Sequence, residues 1–371
     1  MAYSTAGKEE RLKNELEQKK EEKKKIYYKK KENTNSDNKR EKKLFLSRIM
    51  IKNIETFIAE HRLIPNESAI VLGLSGGPDS VFLLHLLSQL QKKGKVKKLI
   101  AAHLDHQWRT SSDKDAQFCL DIAKKYGVST ITQKISDLKI SLKFEGSKEE
   151  FGRRARRYFF EKIKKENNCD LIALAHHAQD QQETFFIRLI RGSSLSGLTA
   201  MKPKHGVYIR PLLETNKKDI LDFLKQNNVP YLIDPSNVLE DFLRNRIRKH
   251  VIPALAKCDK RFDKNFFETL GRLKKTEQFL EQLTEKTFAE IATEKTGNLC
   301  VNLKKLLHLH PVLQYRVIMH WLIKQNVTFP VTEGFLDEIV RFLHQPGSKE
   351  HQIHHDWTLV KKKELVHIKK L

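Results

Sequence analysis

Cysteine is scarce and scattered: the 371 residues hold four, Cys119, Cys169, Cys258 and Cys300, with no C-x-x-C pair among them. That excludes a disulfide framework, a zinc ribbon and a closely spaced redox dithiol, and it suits a reducing compartment. Glycine (15) and proline (10) are too few for a collagen-like or low-complexity chain. No run approaches the roughly 18 consecutive apolar residues of a membrane helix, and the first twenty residues are charged rather than apolar. The sequence therefore predicts no membrane partner and no secretory signal, and a cytoplasmic protein. Negative charge is the other shortage: 46 Asp and Glu stand against 70 Lys and Arg, a net of +24. Residues 1–45 carry 15 basic and 9 acidic side chains, which leaves +18 on the remainder. A body this basic attracts polyanions. Nucleic acid fits better than a membrane, because no strongly basic amphipathic helix with a Trp or Leu face stands out.

What is present is enough chain for about two domains. Residues 1–44 alternate Lys and Glu runs, such as Lys23–Lys25 and Lys29–Lys31, with almost nothing large and apolar to bury. They predict a charged arm, disordered or a solvated helix, acting either as a plain tail or as a nonspecific RNA tether. From Phe45, apolar residues recur at helical spacing (Ile49, Ile54, Phe57, Ile58). After Pro65 short apolar runs alternate with helical segments. Strands are expected at Ala69–Leu74, Lys98–Leu104, Ser129–Ile135 and Asp170–Ala175. Helices are expected at Ser80–Lys92, Asp113–Tyr126, Lys148–Lys165 and Gln181–Arg191. This alternation predicts, over residues 45–238, an α/β domain with a parallel sheet and helices on both faces, functional groups gathering at the strands' carboxyl ends. From about Leu239 strand signals fade, and Phe266–Ile291, Pro311–Gln325 and Gly334–His344 read as helices before a hairpin at His351–Ile368. Residues 239–371 thus read as a smaller, mostly helical domain.

The first strand runs out into Ser75, Gly76, Gly77, Pro78, Asp79, Ser80 and then a helix. Two glycines let backbone N–H groups turn inward, the helix adds its positive end, and the serines add hydroxyls, so the loop suits phosphate. Neither the Walker A nor the G-x-G-x-x-G pattern fits, and tight packing alone is the competing account. The second strand ends in His103, Asp105, His106, Gln107, Trp108 and Arg109. Arg109 suits a phosphate clamp, with a metal cluster as the weaker alternative, since neighbours on a strand point apart. The fourth ends in His176 and His177, followed by Asp180 and Glu183 three apart at a helix start, where capping explains one carboxylate but not both. Arg153, Arg154, Arg156 and Arg157 with Tyr158 on one helix, and Arg244 to Lys249 further on, are basic clusters suited to RNA, or else solvated faces.

SGGPDS resembles the pyrophosphate loop of the N-type ATP pyrophosphatases, the group that includes GMP synthetase and argininosuccinate synthetase. Taken in order, SGGPDS, DHQWR, RRARRY, AHHAQDQQET, RGSSLSGL, IRPLL, DPSN and RNRIR with IPAL resemble the tRNA(Ile)-lysidine synthase family, strongly over residues 45–255 and more weakly through HPVLQYRVIMHWL. The arm before Phe45 is extra, Gln179 stands where many relatives carry an acidic or amide residue, and no clear further tRNA-binding domain follows. The resemblance implies a PP-loop, Rossmann-like fold and a two-step ligation. ATP adenylylates the wobble cytidine of the CAU-anticodon isoleucine tRNA, then free L-lysine displaces AMP to give lysidine. It implies ATP and Mg²⁺ as cofactors, with Ser75, Gly76, Gly77, Pro78, Asp79, Ser80, His106 and Arg109 binding ATP and Asp79 also holding the metal. Asp79, His176, Asp180 and Glu183 are the implied catalytic set, with His176 or Asp180 as base. Arg153, Arg154, Arg157, Arg244 and Arg248 would bind tRNA or lysine. A tRNA thiolase, a small-molecule ligase and a noncatalytic RNA-binding protein on the same scaffold are the competing functions. Nothing in the residues fixes an oligomeric state, a homodimer included.

Overall fold

In the computed structural model the described residues are 46–108, 112–138, 148–233, 242–295, 297–327 and 331–371. The charged arm, Arg109, the Asp234–Asn237 loop and the boundary expected at residue 239 lie outside them. Two compact units emerge, one of residues up to Ser193 with Ala200–Lys260, the other of Ser194–Thr199 with Arg261–Leu371.

In the first unit helix α1 (residues 46–60) buries Met50, Ile54, Phe57 and Ile58, one stripe at helical spacing. Then β1 (Ser68–Gly73), α2 (Pro78–Lys92), β2 (Val96–Asp105), α3 (Ser112–Lys125), β3 (Ser129–Lys134), α4 (Lys148–Glu166), β4 (Leu171–Ala173) and α5 (Ala178–Ile190) alternate as expected. After β4 come two short strands that no sequence pattern announces, β5 (Lys204–His205) and β6 (Tyr208–Ile209), too brief to show a period. Helix α7 (Lys217–Gln226) follows, and α8 (Leu243–Arg246) passes through a π-helical turn at Ile247–Val251 into α9 (Ile252–Cys258). The short α6 (Leu195–Leu198) belongs to the second unit.

The strand order is β3-β2-β1-β4-β6-β5, with β5 the one antiparallel member. Alternation along β1 splits the core. Ile70, Leu72 and Leu74 join α1, α2, α3 and α7 on one face, while Ala69 and Val71 join Ala155, Phe159, Phe160 and Ile163 of α4 on the other. Because β1 sits between β2 and β4, the chain leaves neighbouring strands in opposite directions, and a crevice opens at their carboxyl ends.

The second unit is built on α10 (Phe262–Ile291), α12 (Pro311–Lys324) and α13 (Glu333–His344), as its helical periodicity predicts, with a short unpredicted α11 (Leu303–Leu307) between the first two. It holds more strand than expected. The hairpin is present as β9 (Lys349–His354), β10 (Trp357–Lys362) and β11 (Leu365–Lys370), and β7 (Ala292–Lys295) with β8 (Asn298–Asn302) extends it into an antiparallel sheet ordered β7-β8-β11-β10-β9. Edge strand β7, Ala-Thr-Glu-Lys and largely exposed, carries too little apolar pattern to be read as strand. Lys361 of β10 is buried, and its ammonium donates to the carbonyls of Phe342, Leu343 and Gln345, satisfying the C-terminal end of α13. No helix among the described residues is long and apolar enough to cross a membrane.

Candidate active site

The loop between β1 and α2 is held from within by its serines. Ser80 Oγ accepts from the Ser75 N–H at 3.2 Å, lies 3.1 Å from Ser75 Oγ and donates to the Gly77 carbonyl at 2.9 Å. Gly76 has φ +78°, and a Cβ there would stand 2.7 Å from Leu232 Cδ1. Glycine is needed for both reasons. Behind it, the Leu232 N–H donates to the Gly76 carbonyl at 2.9 Å. Gly77 is the extended N-cap of α2 and Pro78 occupies its first turn, so the helix's unpaired N–H groups open beside the loop.

Asp79 does not stand alone. Lys217 Nζ meets both its oxygens, at 2.6 and 2.5 Å. Sequence reasoning passed over Lys217, yet it carries a signal: a cation in the first turn of a helix opposes the dipole and asks for a reason. Gln179 ties that turn to α5, its Oε1 accepting from the Lys217 N–H and its Nε2 donating to Asn216 Oδ1, both at 2.9 Å.

At the end of β4, Asp180 caps α5 by accepting from the His177 N–H at 2.9 Å. His177 Nε2 lies 3.7 Å from an Asp79 oxygen and 3.6 Å from an Asp180 oxygen, so one imidazole spans the two strand ends. Burial raises the Asp180 carboxyl, but His177, His176, the His177 N–H and Arg244 together bring it below its ordinary value. Burial, with Arg210, Arg244 and Arg156 nearby and only Asp180 opposing, pushes His176 down to about 4. Neutral imidazole beside carboxylate is the resting state.

Glu183, fully buried, takes Arg248 Nε at 2.5 Å and Nη2 at 3.0 Å, with Arg244 Nε at 3.5 Å. Burial nevertheless raises its pKa. The π-helical turn delivers Arg248 to this bidentate pair. Arg244, Arg248, Asp180 and Glu183 are thus brought together, while Asp79 is joined to Asp180 through His177 and its charge also reaches Arg248.

At the end of β2, Asp105 closes a turn by accepting from the Gln107 N–H at 2.8 Å and Ser112 Oγ at 3.2 Å, and His103 Nδ1 donates to the Leu74 carbonyl at 2.9 Å. His106 stacks on Trp108 at 4.7 Å. Burial, then Arg156 and His103, lower His106 to about 4. These histidines and Asp105 make no ligand cluster. Among the described residues the grouping able to hold a metal ion is His354, His355 and Asp356. On α4, Arg154 pairs with Glu150 at 2.9 Å, Arg157 with Glu161 at 3.0 Å and with the Tyr208 ring, and Arg153 is exposed. Arg156, rather than Arg154 or Arg157, is the one whose charge reaches His106 and His176.

A glycine loop at the carboxyl end of the central strand of such a sheet defines the class, and residues 46–255 match the PP-loop domain family. Curated relatives named tRNA(Ile)-lysidine synthase include those of Persephonella marina (30% identical, covering 85% of this chain and 68% of its own), Bacillus cereus (30%; 79% and 63%) and Clostridium perfringens (34%; 68% and 54%). The chain belongs to the tRNA(Ile)-lysidine synthase family, PP-loop ligases that use ATP. It spans between about half and two thirds of the length of those relatives. Among solved structures, a U34-tRNA thiolase, NcsA from Methanococcus maripaludis, shares the fold, with TM-score 0.50 and 20% identity over 61% of this chain and 80% of the other.

Proposed function

We propose that the chain joins free L-lysine to the wobble cytidine of the CAU-anticodon isoleucine tRNA, through an adenylylated cytidine, releasing AMP and pyrophosphate. The observation that carries this reading is the meeting of two unlike sites at adjacent strand ends: a phosphate loop without a Walker lysine, and beside it Asp180 with His176 and His177. The loop's N–H groups and serines would hold the departing pyrophosphate, and Lys217 would turn from Asp79 to the polyphosphate.

Lysine must lose a proton as it attacks, since its amine has a pKa of about 10.4 in water. Asp180, kept ionised, pairs with the incoming ammonium, and neutral His176 takes the proton as the C–N bond forms and the amine becomes acidic. Glu183 acts on the same site by holding Arg248 and Arg244 in place for the lysine carboxylate or a tRNA phosphate. Magnesium fits Asp79 poorly as found. An ion reaching that carboxylate has to displace Lys217 from both oxygens, so no step here is routed through a metal.

Thiolation is disfavoured by the cysteines. Cys119 is buried on one face of the sheet, where burial and Asp115 push its thiol up to about 12, and Cys169 is buried on the other. The test is nucleoside mass spectrometry of the tRNA after incubation with ATP and labelled lysine. Labelled lysidine is expected, and its absence, with tRNA bound and ATP present, would overturn the reading.

A further inference from the structure

Trp108 is the feature the reaction leaves unused. The chain has three tryptophans. Trp321 and Trp357 are buried in the second unit, whereas Trp108 is 41% exposed at the carboxyl end of β2. It is nevertheless fixed. His106 stacks beneath it at 4.7 Å and 29°, and its six-membered ring lies so close to α4 that a Cβ on Gly152 would be 2.7 Å away. An exposed indole held this firmly costs little further ordering when something stacks on it.

Its surroundings are cationic. Gly152 is followed by exposed Arg153 and Arg154, and Arg156, one turn on, donates through Nε to the Gly152 carbonyl at 3.3 Å. Tyr158 is also exposed. We infer that Trp108 is a stacking platform for an unpaired nucleobase of the RNA substrate, with the arginines of α4 holding the flanking phosphates. This rests on the tRNA reading above.

Unpaired bases are taken up on aromatic faces beside arginines, whereas a duplex keeps its bases stacked. The adenine of ATP is the competing occupant, and two observations weigh against it. The phosphate loop feeds α2 on one face of the sheet, while Trp108 lies against α4 on the other. A strip of four arginines also exceeds what one nucleotide needs.

All three tryptophans emit, but with Trp321 and Trp357 buried, Trp108 is the one a stacking ligand can reach. Its quenching reads as a drop from a constant background, and the Trp108→Phe variant gives that background. Titration with an unmodified CAU-anticodon tRNA transcript should quench it, whereas ATP alone or a blunt RNA duplex should leave it nearly unchanged. Trp108→Ala should weaken tRNA binding by roughly 5- to 100-fold, and Trp108→Phe, which keeps a ring, should recover most of that. Gly152→Ala, which pushes the indole aside, should reproduce the loss with Trp108 present. Equal tRNA affinity for wild type and Trp108→Ala overturns the inference, as does quenching by ATP with a raised ATP KM in the variant. A wild type that fails to bind tRNA at all overturns the tRNA reading itself.

Discussion

Each unit of the molecule buries a glutamate against an arginine in a bidentate pair of matching distances, end-on through Nη1 and Nη2 in one and side-on through Nε and Nη2 in the other. Glu277 of α10 takes Arg316 of α12 at 3.0 and 2.5 Å, and Glu183 of α5 takes Arg248 at 2.5 and 3.0 Å. Their settings differ. The Arg316 side chain is 19% exposed, so the first pair is closed off and joins two helices of a core. Arg248 is 42% exposed, and Arg244, Asp180 and His176 crowd the same place. Good geometry alone therefore says nothing about function. A buried pair points to chemistry when it stands among charges it does not neutralise and opens on one side to water.

The sharpest way to use that contrast is Asp180→Asn, which removes the carboxylate next to the open pair. Turnover should fall 10²- to 10⁴-fold, roughly 3–5 kcal/mol in barrier, while ATP binding persists. Near-normal turnover would reduce Asp180 to a helix cap. Next come the pairs themselves. Glu277→Gln should cost about 3–5 kcal/mol of stability, read by urea unfolding, because it strands a covered guanidinium, and it should leave the turnover of folded protein unchanged. Glu183→Gln should cost less stability, since Arg248 can reach water, but lower turnover. If both variants altered stability and turnover alike, the contrast would collapse.

A smaller effect is a dependence of stability on pH. His106 and His176 both have folded pKa values pushed down to about 4 from 6.5, so the unfolded chain takes up their protons first. Their contribution is present at neutral pH and lost as pH falls from about 6.5 to 4. His106→Gln should make stability fall less across that window, by about 1 kcal/mol or more, in unfolding midpoints taken between pH 7 and 4.5. Smallest is Arg153→Ala. It should weaken cognate and noncognate tRNA alike and lower the slope of log affinity against log salt by just under one, checked by filter retention.

The alternation of apolar runs and helices made the parallel sheet legible, because each strand buried on both faces must be apolar throughout. SGGPDS was equally plain, since few other backbones need two glycines there. What escaped was what depends on partners distant in sequence. Lys217 lies 138 residues from Asp79, and only the fold brings them together. The same is true of Glu183 and Arg248, 65 apart: both were picked out as polar residues, but their mutual neutralisation was invisible. Strand β6 escapes because two residues carry no period, although Arg210 follows directly on it.

On the proposed function, the contact between Lys217 and Asp79 would make ligand capture at the loop an ion exchange rather than an addition. A polyphosphate arriving there meets an ammonium already carrying a carboxylate counterion, so one anion displaces another and the ammonium never passes through an unneutralised state. His177 Nε2 lies 3.7 Å from Asp79 and 3.6 Å from Asp180, so the loop's carboxylate and Asp180 are linked through one imidazole. On the proposed function, occupancy of the loop would change the electrostatic potential at Asp180 before lysine arrives, favouring an order of events in which the nucleotide is engaged first.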